Sequence, residues 1–72
     1  MIGMHDTFKY YLRVSGNIVH VGITNDLNRR LQEHKEEFGP YCYIEQQGAP
    51  TTREAALEWE RKQRGLGMPT GP

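Results

Sequence analysis

Tyr10, His20, Arg30 and His34 place a phenol, two imidazoles and a guanidinium along one short stretch of chain. Arginine carries a planar fork of donors that matches phosphate oxygens. Histidine exchanges a proton near neutral pH. A tyrosine hydroxyl titrates near about 10, so it needs an adjacent cation or base before it can relay a proton. These groups together suit phosphodiester chemistry, provided the chain folds them into one place. For each there is a plainer alternative: Arg30 laying its stem on the core with its head in water, and His34 as a hydrogen-bonded core histidine.

Whether Tyr10 and His20 meet depends on a hairpin. Residues 8–14 (FKYYLRV) alternate as a strand, with Phe8, Tyr10, Leu12 and Val14 on one face and Lys9, Tyr11 and Arg13 on the other. Residues 18–23 form a second strand rich in β-branched side chains, with Val19, Val21 and Ile23 expected on the Tyr11 face. A two-residue turn would set Tyr10 and His20 on opposite faces. A three-residue turn, Ser15-Gly16-Asn17, pairs Val14 with Ile18, Leu12 with His20 and Tyr10 with Gly22, so that Tyr10 and His20 share a face. The longer turn is favoured, with Asn17 taking the left-handed conformation it requires. Gly22 then leaves room above Tyr10. A one-residue slip would put Tyr11 in place of Tyr10.

Arg30 and His34 must come from a helix. Thr24-Asn25-Asp26 offers an N-cap, and the helix is expected over residues 26–37. Leu27, Leu31, His34 and Phe38 follow a 4-3-4 spacing and form its inward stripe. Arg30 lies at the stripe's edge, about 60° from Leu27, and Arg29 faces away. Gly39-Pro40 stops the helix. Residues 41–47 read as a third strand. Thr51 or Thr52 can cap a second helix over residues 53–65, and Thr51-Thr52-Arg53-Glu54 fits the capping-box pattern. The order is β-β-α-β-α: an α+β fold, with a three-stranded antiparallel sheet that is apolar on both sides and so flanked by helices on both. Residues 1–6 are expected to be a loose lead, 7–65 the folded domain and 66–72 a frayed tail.

Composition limits the alternatives. Seventy-two residues allow one small domain. Nine basic residues balance nine acidic ones, which argues against a wrapping mode on nucleic acid and for local phosphate contact. The one cysteine, Cys42, excludes an internal disulfide and a multi-cysteine zinc site. With no signal-like N-terminus, it suits a reducing cytoplasm. No apolar run approaches the roughly 20 residues of a membrane span, and there is no glycine-rich phosphate loop. His5, His20 and His34 lack any metal-ligand spacing.

Phe8-Lys9-Tyr10, Val19-His20-Val21-Gly22 and Asp26-Leu27-x-x-Arg30-x-x-x-His34, in that order, resemble a GIY-YIG endonuclease domain over roughly residues 7–65. The family's first tripeptide falls on Phe8-Lys9-Tyr10, of which the tyrosine is kept. Its second falls on His20-Val21-Gly22, with histidine in the tyrosine's place. The resemblance implies that Tyr10 acts as, or relays to, a general base, helped by His20. It implies further that Arg30 stabilises charge on the phosphate, and that His34 orients the nucleophile or assists the leaving group. It also implies one divalent metal, Mg²⁺ or a similar cation such as Mn²⁺, on a glutamate of the second helix. In the family this glutamate comes three residues after the leucine of an Ala-Leu pair, so the resemblance, laid on Ala56-Leu57-Glu58-Trp59-Glu60, implies Glu60, with Glu58 and Glu54 as competitors. Trp59 is expected to be a core anchor. The implied function is metal-dependent hydrolysis of DNA, any target specificity coming from a partner protein or a loop. The rivals are a catalytically inactive relative that binds nucleic acid or a protein partner, and a structural domain of unrelated function.

Overall fold

β1 (Phe8–Val14) is the central strand of the sheet, paired antiparallel with β2 (Asn17–Thr24) on one side and β3 (Tyr43–Gln46) on the other. α1 (Leu27–Phe38) joins β2 to β3, and α2 (Arg53–Gly65) follows β3. The computed structural model describes residues 4–70, and the expected β-β-α-β-α order and antiparallel sheet are both present.

The hairpin reaches the expected register by a different route. Its turn has two residues, Ser15 and Gly16, both with positive φ (51° and 82°), and Val14 pairs with Asn17. That pair of left-handed residues fits a turn whose twist matches the strands it joins. Asn17 is in β2 and not in the turn, contrary to expectation. A β-bulge then intervenes: Arg13 pairs with Ile18 but Leu12 with His20, so Val19 has no partner. The extra residue inverts the facing of everything beyond it. Tyr10 pairs with Gly22 and shares a face with His20. The bulge also turns Val19 onto the Tyr10–Leu12 cluster and away from the expected Tyr11 face.

Each face of the sheet is covered by one helix. Tyr10, Leu12 and Cys42 are buried, with Val14, Val19, Leu27, Leu31, Phe38 and Ile44 packed around them, so α1 lies on this face. On the other, Tyr11 stacks on Trp59 of α2 at 5.9 Å between ring centres, and its hydroxyl donates to Gln63 Oε1 at 3.2 Å. Trp59 is thus the expected anchor, with Lys9 Nζ 5.9 Å above its ring.

Local chemistry sets the helix ends. Asp26 caps α1, its Oδ1 accepting from Arg29 N at 3.1 Å, so the helix begins one residue after the expected start. Thr52 caps α2, accepting from Ala55 N at 3.2 Å. The predicted capping box therefore does not form: Thr51 instead exchanges backbone hydrogen bonds with Thr7, at 2.8 and 2.9 Å. β3 is shorter than expected, because Pro40 and Tyr41 form a turn, closed by Cys42 N on Gly39 O at 3.5 Å, that leaves Cys42 buried and Tyr41 87% exposed.

Beyond α2 the chain is not a loose tail over residues 66–70. Gly67 turns it back with a φ of +84°. Pro69 O then accepts from Val21 N at 2.8 Å, occupying a donor on the free edge of β2. Thr70 is buried and accepts from Arg64 Nε at 3.1 Å. Residues 1–3 of the expected lead and 71–72 of the expected tail lie outside the described residues. Among the described residues, no helix is long and apolar enough to cross a membrane.

Candidate active site

Tyr10 is 0% exposed, and its hydroxyl lies between two groups of α1. Arg30 Nε donates to it at 3.3 Å, and His34 Nε2 lies 2.7 Å away. Arg30 and His34 are one helical turn apart, so both reach the same strand. The space for the phenol comes from Gly22 across the strand pair. A Cβ at that position would lie 2.6 Å from Tyr10 Oη and 3.1 Å from His20 Nε2.

The protons in this network follow from its charges. Arginine can only donate, so the phenol oxygen accepts from Arg30. Burial lowers the His34 pKa, and the neighbouring His20 and Arg30 lower it further, which leaves a neutral imidazole at pH 7. The buried phenol proton is thereby assigned to His34 Nε2, and the ring proton of His34 to Nδ1. Burial raises the Tyr10 pKa, and the Arg30 hydrogen bond only partly offsets it. Tyr10 is thus a neutral phenol, and the nearby cation does not acidify it below its ordinary value.

In front of this network lies a cleft of about 420 Å³ lined by Val19, His20, Arg30, Glu33, His34, Glu37, Phe38 and Pro69. The His20 and His34 rings are 4.9 Å apart between centres. Burial, then the Arg30 charge, lowers the His20 pKa, so it too is neutral near pH 7. Arg30 Nη1 makes an exposed ion pair with Glu33 Oε1 at 2.9 Å, which leaves its Nη2 donors free of that carboxylate.

The four expected residues therefore converge, with two changes of role. Tyr10 does not line the cleft; it stands behind His34 and Arg30 and holds both. The phenol's hydrogen bond goes to His34, and not to His20 as expected, leaving the His20 ring at the cleft wall. Glu60 is not among the lining residues. Its charge is a minor influence in the raising direction on Tyr10 and His20; the His20 pKa is lowered overall, by burial and then by Arg30. Of its competitors, Glu58 is paired with Arg61 at 3.1 Å, and Glu54 is exposed in the first turn of α2. Glu60 is partly buried and forms no ion pair among the described residues.

No group of three or more His, Cys, Asp or Glu side chains among the described residues forms a metal cage. Mg²⁺ does not need one, since it binds through one or two carboxylates and keeps several waters. Glu60 is a single carboxylate of that kind, partly buried and without an ion pair among the described residues, but it is carried by α2 and does not line the cleft.

Glu33, Glu37, Val19, Phe38 and Pro69 were not foreseen as parts of the site. For Glu33 and Glu37 the signal was present: each lies three residues beyond Arg30 or His34 on the same helix. Val19 arrives through the bulge, and Pro69 through a long-range backbone hydrogen bond. Neither leaves a mark in a local sequence pattern. Comparisons with family models, with curated proteins and with solved structures return no match to this chain.

Proposed function

We propose that this domain hydrolyses DNA phosphodiester bonds in the cleft between α1 and β2, with a divalent cation such as Mg²⁺ or Mn²⁺. The observation that carries the reading is the Arg30 guanidinium, held through Nε by the Tyr10 phenol, on a residue that lines a cleft walled by two neutral histidines. The ordered resemblance to GIY-YIG endonucleases supports the same conclusion, and the unpaired Cys42 is consistent with a cytoplasmic setting.

Arg30 binds the phosphate. Its pair with Glu33 is exposed and costs little to displace, and the phosphate takes the outer nitrogens as a bidentate partner. His20 is the general base: its neutral imidazole removes a proton from the attacking water as the new O–P bond forms and the opposite P–O bond breaks. Tyr10 and His34 are positioning residues that fix Arg30 against the sheet and pack beside His20. Glu60 would hold the cation, which would supply neutralising charge for the phosphodiester.

Nicking of supercoiled plasmid in the presence of Mg²⁺ tests this. Arg30→Ala and Glu60→Ala are expected to abolish it. Equal activity in all variants would mark a contaminant and end the reading. A second reading, an inactive module that binds nucleic acid, draws on the full burial of Tyr10 and the position of Glu60 outside the cleft lining. It predicts retained, salt-sensitive DNA binding with no nicking.

A further inference from the structure

The cleft contains more than a phosphate needs. Along α1, Arg30, His34, Glu37 and Phe38 succeed one another on the cleft wall. Glu37 lies seven positions beyond Arg30, about 10 Å along the helix axis. That span is comparable with the reach from a nucleotide's phosphate to the far edge of its base. Two acidic residues line the cavity, and they differ. Without ligand, Glu33 is paired with Arg30, whereas Glu37 forms no ion pair among the described residues. Glu37 lines the same cleft as His20 and His34.

Glu37 is exposed, and its unpaired carboxylate would repel a phosphate and not help to bind it. It is an acceptor only, and it suits a ligand edge that offers donors. Phe38 supplies an aromatic ring beside it, and Val19 and Pro69 add apolar wall. Pro69 is fixed by its hydrogen bond to Val21. The volume, about 420 Å³, is that of a pocket for one nucleotide and not for a duplex.

We propose that the cleft binds one unstacked guanine nucleotide, with its phosphate on Arg30, its base against Phe38 and its Watson–Crick edge on Glu37. Guanine is the common base whose edge presents two adjacent donors, N1–H and the exocyclic amino group, to the two oxygens of a carboxylate. Adenine and cytosine each offer one donor beside an acceptor, which would face the carboxylate unfavourably. The inference rests on the phosphate-binding reading of Arg30. It adds that the substrate is single-stranded or yields a base out of its stack.

The test is binding without turnover: titration of the full chain, in EDTA, with GMP, AMP and inorganic phosphate, followed through the ring resonances of His20 and His34. GMP is expected to bind at least about tenfold tighter than AMP, and Glu37→Gln to bring the two within about twofold. The ratio is insensitive to partial unfolding of the variant. Phosphate binding with no preference between GMP and AMP overturns the guanine assignment and leaves the phosphate reading intact. So does a preference that survives in Glu37→Gln. If neither phosphate nor nucleotides move the histidine resonances, both readings fail.

Discussion

The Tyr10 hydroxyl and His34 Nε2 lie 2.7 Å apart in a buried hydrogen bond that ties the central strand to α1. The same oxygen receives Arg30 Nε at 3.3 Å. One phenol thereby fixes the two side chains that shape the back of the cleft. Removing it with Tyr10→Phe leaves a buried imidazole nitrogen without its donor. The expected cost is about 1–3 kcal/mol, read as a lower urea midpoint with an unchanged m-value, and the plasmid-nicking rate should fall with it. A variant as stable as the parent would show that the network contributes nothing to the fold.

Gly22 tests the same network from the other strand. Alanine there would bring a methyl group to 2.6 Å from Tyr10 Oη and 2.9 Å from Cζ. A tyrosine ring packed on all sides has little freedom to retreat, so Gly22→Ala should destabilise by about 1–3 kcal/mol. It should also shift the His34 ring resonances, because the phenol cannot keep its present position beside Nε2. Unshifted resonances would mean that the ring has more room than its burial indicates.

The hairpin turn offers a change in the opposite direction. Ser15 holds a positive φ of 51° immediately before Gly16 at 82°. Asparagine tolerates that conformation better than serine and leads the preferred pair for such turns. Ser15→Asn should raise stability by about 0.5 kcal/mol, seen as a small rise in Tm with the cleft unaltered. Destabilisation would indicate that the turn in solution is the three-residue one.

These two hairpin positions also show how far the sequence could be read. Placing Tyr10 opposite Gly22 was a correct inference from an incorrect turn. A two-residue turn plus a bulge at Val19 gives the same facing as a three-residue turn without one. Alternation alone does not distinguish them, because side-chain facing repeats every two residues and both routes add one. The 4-3-4 stripe of α1 was legible because burial of one helix face leaves a periodic trace, and it located Arg30 and His34. Assigning the phenol's partner was not possible, since choosing between His20 and His34 needs distances across the sheet. Nor did residues 66–70 announce their return: a glycine-rich segment has no apolar period, and its tether is a backbone bond to Val21.

Acid should act on the fold through the two cleft histidines. Burial and the Arg30 charge hold both His20 and His34 below the ordinary histidine pKa in the folded state. Each therefore binds its proton more readily when unfolded. Their contribution is fully present above about pH 6.5 and is lost as the pH falls from there through the folded pKa values. Tm should be flat from pH 7 to 8 and decline below about 6.5, and His20→Gln with His34→Gln should flatten that limb. A double variant with an undiminished acid limb would move the cause to other groups.

The claim on which the account turns is that His20, at the cleft wall, takes a proton from water during cleavage. Chemical rescue measures it most directly: Mg²⁺-dependent plasmid nicking by the parent and by His20→Ala, with and without free imidazole. The account predicts a loss of about 10²–10⁴-fold in His20→Ala, partly restored by imidazole in proportion to its neutral form. No nicking by the parent, or nicking by His20→Ala at the parent's rate, would contradict it.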